Sequence, residues 1–350
     1  MIIKSIEELH QFLDKKVIGI LGFNKDSRNL LKFYKENLCT AKFKVGYLID
    51  LTLDYRPNVK SMAEACFPKN KIITTSESLE KIFQKKQIDA LIYFDRYVED
   101  SPKIMSSISQ CYTELKDHYD SIKNESTTSE FNFRWRHQVV DYITGTAAQN
   151  DIFIIDANPR PSDWITTGDR GEKFISFSRE SIMPLGRYDK KFSDAKVRFI
   201  LGTDWGSGKT TILFNRMKEG SAGVAFDLWF SLVGNTFLPL LSMHDMYIGK
   251  GLIATEIYKE WQRDPDKEIF IRLSGKIEEF VYGFPYDRRM FLDNLPAYFN
   301  DVKFIIACKP KESLADLKNL LADFKSYYHA ENNTSVYRIS YNGKEELLTK

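Results

Sequence analysis

The chain has 350 residues, which is the length of two ordinary domains rather than of one core. It is 43% hydrophobic and 28% charged, and 50 basic residues against 48 acidic ones give a net charge of +2. This composition excludes a disordered chain, and the balanced charge provides no overall attraction to nucleic acid or to an anionic membrane. We expect a globular protein without a nucleic-acid partner. The sequence leaves the oligomeric state open, a homo-oligomer included.

Cysteine usage and hydropathy indicate the compartment. No Cys-x-x-Cys pair occurs, which argues against a zinc site and against a disulfide framework, and reduced thiols are typical of a cytoplasmic protein. Residues 222–246 contain no Lys or Arg, but Asp227, Asn235 and Pro239 interrupt this segment. Its apolar runs are far shorter than the roughly 20 residues of a membrane span. We predict a cytoplasmic protein without a membrane span.

Apolar runs alternate with helical patterns in the first half of the chain. This alternation predicts a mainly parallel sheet with helices on both faces, so residues 1–160 are predicted to form a Rossmann-like domain. The predicted strands are Val17–Phe23, Lys44–Leu51, Lys71–Thr75, Ala90–Phe94 and Asp151–Asp156. The predicted helices are Asp26–Asn37, Ser76–Lys85, Lys103–Ile122 and Trp135–Gln149. Residues 161–195 lack clear periodicity and are predicted to connect the domains.

The same alternation returns in residues 196–350 and predicts a second α/β domain. The predicted strands are Val197–Leu201, Val224–Leu228, Glu268–Leu273, Val302–Cys308 and, at an edge, Ser335–Ser340. The predicted helices are Lys209–Lys218, Ile248–Gln262, Asp287–Tyr298 and Ser313–Tyr328. The chain is therefore expected to contain two α/β domains in sequence.

The most informative segment joins the strand that ends at Leu201 to the helix that begins at Lys209. Small residues let backbone N–H groups surround phosphate oxygens, and a helix N-terminus adds unpaired donors and partial positive charge. The Lys209 side chain can reach outer phosphates, and the Thr210 hydroxyl is placed to ligate Mg²⁺. These features predict a P-loop NTPase-like domain. Its predicted phosphate site comprises Gly202, Thr203, Asp204, Gly206, Ser207, Gly208, Lys209, Thr210 and Thr211.

The loop departs from the common frame Gly-x-x-x-x-Gly-Lys-Thr, because Thr203 stands at its first position and a glycine lies one residue earlier. The pattern Gly-Thr-Asp-x-x-x-Gly-Lys-Thr resembles the phosphate loop of dethiobiotin synthetase and its relatives. This resemblance implies a metal or substrate contact for Asp204. The loop is also similar to that of bacterial D-glutamate N-acetyltransferases. That resemblance implies a Rossmann-like domain followed by a P-loop domain, with acetyl-CoA phosphates in the loop.

Further candidates lie at other strand ends. Asp227 ends the strand after the loop helix, where it could hold the metal, or it caps the segment that follows. Lys309 has two interpretations: it contacts the base or the ribose of a nucleotide, or it is only a residue at the entry to the next helix. Arg160 and Arg170 are candidates to clamp a substrate carboxylate or phosphate in an interdomain cleft.

Two expected signals are weak. A Walker B acid is missing, because Arg272 ends the relevant strand, and Glu278 and Glu279 are predicted to lie on a solvated helix face. In the first domain, Gly19, Gly22 and Asp50 do not complete the Gly-x-Gly-x-x-Gly pattern. They are therefore only a weak indication of dinucleotide binding.

Three functions remain open from the sequence. The first is an ATP- and Mg²⁺-dependent enzyme that activates a small carboxylate or amine, with Lys209, Asp204 and Asp227 as catalytic residues. The second is a transferase that binds acetyl-CoA and acetylates an amino acid. The third is a nucleotide-dependent switch or assembly protein with little catalysis.

Overall fold

The computed structural model describes residues 1–38, 42–94, 140–156, 172–177, 187–225, 249–284, 288–340 and 342–349, together with residues 230, 232 and 234. The chain divides into two units, Met1–Arg179 and Glu180–Lys350. Each unit is built around a mostly parallel sheet, so the predicted α/β class is confirmed. The predicted helix Lys103–Ile122 lies outside the described residues.

The first unit contains a sheet whose strands are all parallel to their neighbours. Its strands are β1 (Ile2–Ile3), β2 (Val17–Leu21), β3 (Lys44–Ile49), β4 (Ile72–Ile73), β5 (Ala90–Tyr93), β6 (Phe153–Asp156) and β7 (Phe174–Phe177). They lie in the order β1-β7-β6-β5-β2-β3-β4. The short strand β7 falls within the segment that was predicted to connect the domains, and it extends this sheet instead.

Helices of the first unit pack apolar faces on the sheet. They span Ile6–Leu13, Lys25–Lys35, Pro57–Cys66 and Ser76–Gln84, and residues 140–149 are also helical. The first and third of these were not predicted. On one side of the sheet, Leu79, Ile82 and Phe83 pack with Ile143 and Ala147 in one buried cluster. The predicted strands thus form the centre of this unit, and short flanking elements were missed.

The second unit contains a six-stranded sheet in the order β13-β12-β11-β8-β10-β9. Its strands are β8 (Lys196–Gly202), β9 (Ala222–Ala225), β10 (Glu268–Arg272), β11 (Asp301–Cys308), β12 (Thr334–Ile339) and β13 (Glu345–Thr349). All neighbours are parallel except β12 and β13, which form an antiparallel pair. Its helices span Lys209–Lys218, Gly249–Arg263, Ile277–Val281, Arg289–Leu292 and Leu314–Tyr328.

Two predicted elements of this unit differ from the structure. The predicted helix Asp287–Tyr298 is only Arg289–Leu292, because Asp293 adopts a φ of 35° and a separate 3₁₀ turn begins at Pro296. Strand β12, predicted to lie at an edge, is covered on its outer side by β13. The hairpin between them was missed although its turn is local: the Ser340 N–H donates to the Lys344 carbonyl oxygen at 3.0 Å around an Asn342-Gly343 pair that favours such turns.

Strand β8 lies between β10 and β11 and is buried along nearly its whole length. At its amino end, the buried Arg198 guanidinium pairs with Glu268 on β10 at 2.7 Å and with Asp301 on β11 at 2.7 Å. Burial alone would lower the pKa of Arg198, but the hydrogen bonds that it donates to both carboxylates raise it above its usual value. This triad ties the three strands in register, and their carboxyl ends therefore meet at one edge of the sheet.

No helix in the part of the chain that the structure describes combines the length and apolar character needed to cross a bilayer. The segment 222–246, which the sequence raised as a membrane candidate, lies mostly outside the described residues. Its first residues, 222–225, form β9 within the sheet of the second unit.

Candidate functional site

The loop after β8 enters a helix that none of its own side chains caps. Gly208 occupies the N-cap position of the loop helix (Lys209–Lys218) with a φ of 101°, and Gly206 has a φ of 77°. These left-handed conformations are open to glycine and are costly for other residues. The N-cap glycine has no side chain that could accept from the first turn, so backbone donors and the positive end of the helix dipole are available at this helix end.

Close packing accounts for two glycines of the loop, Gly202 and Gly208. A Cβ atom on Gly202 would lie 2.1 Å from the Ser207 Oγ and 3.0 Å from the Lys209 Nζ. A Cβ on Gly208 would lie 2.6 Å from the Cβ of Ile339 on β12. Glycine is therefore required one residue before the common frame, because the lysine side chain folds back over this point of the backbone.

The Lys209 side chain turns into the loop and is almost fully buried. Its ammonium group donates to the Gly275 carbonyl oxygen at 2.8 Å and to the Asp204 carbonyl oxygen at 3.4 Å. The half-exposed Trp205 ring lies beside it, with 5.8 Å between the Lys209 Nζ and the ring centroid. Backbone carbonyls thus hold the ammonium inside the loop at the base of the open helix end.

Asp204 is the meeting point of two further lysines. Its Oδ1 atom lies 2.9 Å from the Lys276 Nζ and accepts the Trp205 N–H at 2.7 Å, while its Oδ2 accepts from the Lys309 Nζ. Partial burial alone would raise the pKa of Asp204, but hydrogen bonds from Lys309 and Lys276 hold it well below its usual value. The same contact raises the pKa of Lys276. Asp204 and Lys276 are therefore charged at neutral pH.

These lysines come from the ends of neighbouring strands. Lys276 follows β10 and Lys309 follows β11, the two neighbours of β8 in the sheet. Lys309 was predicted as a contact to a base or ribose, or as a helix-entry residue, and the structure places its ammonium against Asp204 in the loop. Lys276 was missed. Its signal was available as a Gly-Lys pair directly after a buried strand of the same sheet.

The carboxylate of Glu312, which lies just before the helix Leu314–Tyr328, supports the start of the loop. The Glu312 Oε2 accepts the Thr203 hydroxyl at 2.5 Å and the Lys309 backbone N–H at 2.5 Å. The Thr203 N–H donates to the Ala307 carbonyl oxygen at 2.9 Å. The backbone of Thr203 therefore continues the pairing of β8 with β11, and its hydroxyl bond to Glu312 explains why threonine, rather than glycine, occupies this position.

Ser207 carries an unusual polar group. Its Oγ atom is buried and has no hydrogen-bond partner among the described residues. A buried hydroxyl without a partner costs roughly 1–3 kcal/mol relative to a satisfied one. Such an atom in the middle of a loop that is rich in donors is expected to gain its partner from a bound ligand or water.

The remaining predicted site residues divide into two groups. Thr210 and Thr211 lie in the first turn of the loop helix, as predicted. Asp227, Arg160 and Arg170 lie outside the described residues. Within the described ranges, no group of three or more His, Cys, Asp or Glu side chains could hold a metal ion. A metal here would depend on ligand oxygens for most of its coordination.

The strand β10 ends without an acid, as the sequence indicated, because Arg272 is its last residue. Glu278 is exposed, but the prediction that Glu279 is solvated is wrong: it is 1% exposed and pairs with Arg288. A Cβ on Gly275, whose φ is 111°, would meet both of these side chains. The buried pair therefore shapes the turn that presents the Gly275 carbonyl to Lys209.

The first unit has a loop in the same topological position, between β2 and the helix Lys25–Lys35, and its donors are already used. The Asn24 Oδ1 accepts the N–H groups of Asp26 at 2.9 Å and Ser27 at 3.1 Å. The Ser27 hydroxyl accepts the Asn24 N–H at 2.8 Å, which completes a capping box. Side chains of Asn24 and Ser27 thus accept the hydrogen bonds of backbone N–H groups at this helix end.

The carboxylate of Asp50, directly after β3, is likewise engaged by hydrogen bonds within the protein. It is fully buried, and it accepts the N–H of Phe23 at 2.9 Å, the hydroxyl of Thr52 at 2.5 Å and the guanidinium of Arg56 at 2.9 Å. An acid that binds a ribose must offer an oxygen to the ligand. The carboxylate of Asp50 instead ties the loops after β2 and β3 together.

Comparisons with known proteins add no assignment to this geometry. No protein-family model matches the chain. A search of curated proteins finds no match either. The class of site therefore rests on the arrangement itself: an uncapped helix end, a glycine-rich loop and lysines from adjacent strand ends, which together present donors and positive charge to an anion.

Proposed function

We propose that the second unit binds a nucleoside triphosphate through its phosphates, in the loop formed by residues 202–211. One observation carries this proposal. Three lysine ammonium groups, from Lys209, Lys276 and Lys309, converge on a glycine-rich loop whose helix begins without a side-chain cap. Backbone donors, a helix dipole and mobile cationic side chains are the elements that proteins use to hold phosphate groups.

The proposal includes the fold families expected from the sequence. In the first unit, β2 to β7 lie in the order 3-2-1-4-5-6 when they are renumbered from β2, and this order supports a Rossmann-like unit. In the second unit, the central strand β8 leads directly into the loop, as in P-loop proteins. The filled helix end in the first unit favours the second as the site of phosphate binding.

The proposed ligand would bring Mg²⁺ with it. Mg²⁺ keeps several waters and needs only one or two protein ligands beside substrate phosphates, so the shortage of acids in the described chain is compatible with it. The Thr210 hydroxyl would hold the ion, with Asp227 as a further proposed ligand. When bound, the ion would neutralise charge on the phosphates. Lys209 would exchange its carbonyl partners for phosphate oxygens.

The proposed reaction class is phosphoryl transfer from the nucleotide to a small carboxylate or amine. In this reaction the loop and Lys209 stabilise the charge that develops on the transferred phosphoryl group. The lysines that follow β10 and β11 add positive charge beside Asp204 in the loop. No covalent intermediate with the protein is required.

Isothermal titration of the purified chain with ATP, GTP and acetyl-CoA, each with and without Mg²⁺, tests the proposal. We expect ATP or GTP to bind, and the Lys209→Ala substitution to weaken binding by about tenfold to a hundredfold, because a charge-assisted contact is lost. Lys218→Ala is the matched control, since Lys218 is an exposed lysine at the opposite end of the same helix. The control should bind as the wild type does.

The outcomes separate the candidate functions. No heat with any of the three ligands, or equal affinity in Lys209→Ala, would overturn the proposal. Binding of acetyl-CoA alone would keep the phosphate loop but assign it to an acyltransferase. Once a nucleotide binds, release of ADP that depends on an added carboxylate or amine would separate an enzyme from a switch.

A further inference from the structure

The cluster around Asp204 has a feature that the loop alone does not explain. Its carbonyl oxygen contacts the Lys209 ammonium at 3.4 Å, and its carboxylate binds the ammonium groups of Lys276 and Lys309. One residue of the loop thus joins three lysines. Lys276 and Lys309 reach this carboxylate from the two strands that flank β8, so they form a pair with a single oxyanion between them.

The other charged groups near this pair are engaged elsewhere. Glu312 directs Oε2 to the Thr203 hydroxyl and to the backbone N–H of Lys309, not to its ammonium group. Glu279 pairs with Arg288 on the far side of the Gly275 turn. Glu278 and Glu279 act on Lys276 only as nearby charges, so Asp204 is the acid whose carboxylate contacts both ammonium groups in the described chain, and its displacement would leave two adjacent ammonium groups without that contact.

The place of this position relative to Lys209 indicates which part of a ligand would reach it. A phosphate-loop lysine contacts the outer phosphates of a nucleotide. Asp204 links the pair to Lys209, because its carbonyl oxygen lies 3.4 Å from the Lys209 Nζ and its carboxylate contacts the Lys276 and Lys309 ammonium groups. A phosphate chain that begins at the helix N-terminus and passes Lys209 would bring its outermost group nearest to Lys276 and Lys309.

We propose that Lys276 and Lys309 bind the terminal phosphate of the triphosphate, and that the Asp204 carboxylate occupies this position until the ligand displaces it. This assignment rests on the proposed function of the loop. It makes the pair a determinant of specificity for triphosphates over diphosphates. Asp204 keeps the two like charges together in the ligand-free protein, and the terminal phosphate takes over that task with its own oxygens.

The test compares the affinity of ATP with that of ADP by titration in EDTA, so that no metal contact contributes. The variants are Lys276→Gln, Lys309→Gln and the double variant. Lys303→Gln is the matched control, because Lys303 is an exposed lysine on β11 near the amino end of the strand that leads to Lys309. Both lysines of the pair are partly exposed, so the variants should fold.

We expect each single substitution to weaken ATP binding by about tenfold and the double substitution by about a hundredfold, whereas ADP binding changes by less than about threefold. Lys303→Gln should leave both affinities unchanged. Equal losses for ATP and ADP, or no loss beyond that of the control, would overturn the assignment of the terminal phosphate.

Asp204→Asn tests the second half of the proposal. Asparagine keeps the shape of the side chain and removes the charge that competes with the ligand. We expect ATP affinity in EDTA to rise by several-fold to about tenfold, and ADP affinity to change little. A loss of ATP affinity would overturn the role of Asp204 as a stand-in for phosphate.

The controls distinguish this inference from the proposed function. If the wild type binds neither ATP nor ADP, the proposed function fails, and the inference about Lys276 and Lys309 fails together with it. If the wild type binds ATP and Lys209→Ala abolishes binding, but the lysine pair makes no difference between ATP and ADP, only the present inference fails.

Discussion

Both units contain a buried parallel strand, a tight loop and a helix, but the two loops have opposite electrostatic character. After β2, Asn24 and Ser27 cap the helix Lys25–Lys35, and Asp50 is filled by neighbouring donors. After β8, Gly208 leaves the helix uncapped, and lysines gather around Asp204. The first loop satisfies itself, whereas the second leaves donors and charge for a ligand.

The difference shows that topology alone does not make a binding site. Both helix ends carry the same dipole and the same unpaired N–H groups before side chains are considered. In the first unit, side chains of the protein take the place that a ligand would need. In the second, glycine at the N-cap position excludes such a side chain and leaves backbone N–H groups open to the phosphates that we propose to bind there.

The largest expected effect is a loss of stability in the first unit when Asp50, which ties the loops after β2 and β3 together, is changed. Asp50→Asn removes one charge of a buried ion pair and leaves Arg56 without its counter-ion, so we expect the unfolding free energy of the first unit to fall by about 3–5 kcal/mol. Urea denaturation measures the change, and hydrogen exchange shows which unit opens.

Asp54→Asn is the matched control for this prediction, because Asp54 pairs with Lys60 on the surface nearby. An exposed pair of this kind contributes less than about 1 kcal/mol. Nucleotide affinity should stay unchanged in both variants. A loss of nucleotide binding in Asp50→Asn, without loss of the second unit's fold, would contradict the division of roles between the loops.

A second prediction concerns the glycines of the open loop. In Gly208→Ala the new Cβ would meet the Cβ of Ile339, which is fixed to the backbone of β12, at a φ of 101°. Strain and overpacking together should lower the stability of the second unit by about 3 kcal/mol. Chemical denaturation followed by hydrogen exchange in this unit measures it.

Gly206→Ala provides the comparison within the same loop. Gly206 also has a positive φ, 77°, but a Cβ there has no heavy atom within 4 Å. Only backbone strain of roughly 1 kcal/mol should remain. Equal destabilisation by the two substitutions would show that packing against β12 does not distinguish them.

The smallest expected effect is the loss of the cap in the first unit. Asn24→Ala removes the side chain that accepts from Asp26 and Ser27, and we expect a loss of about 1 kcal/mol. The opened helix end should still fail to bind ATP in titration, because Asp50 places a carboxylate against the Phe23 N–H in this loop. ATP binding gained by this variant, retained after Lys209→Ala, would contradict that view.

Local sequence patterns predicted the central parts of both sheets and the loop after β8. An apolar run, closely spaced glycines and a Lys-Thr pair specify that strand, turn and helix within about fifteen residues. Helix boundaries set by a positive φ were harder to predict. The helix expected at Asp287–Tyr298 stops at Leu292 because Asp293 leaves the helical conformation.

The sequence by itself determined the α/β class and the strand–loop–helix form of residues 196–218, since both follow from neighbours in the chain. Only the tertiary structure decided which distant residues meet this loop. Lys276 lies 67 positions beyond Lys209, and it reaches Asp204 only because β10 pairs with β8. The burial of Glu279 likewise depends on Arg288. Pairing between parallel strands joins segments that are far apart in sequence, so local patterns cannot specify which side chains gather at the sheet edge.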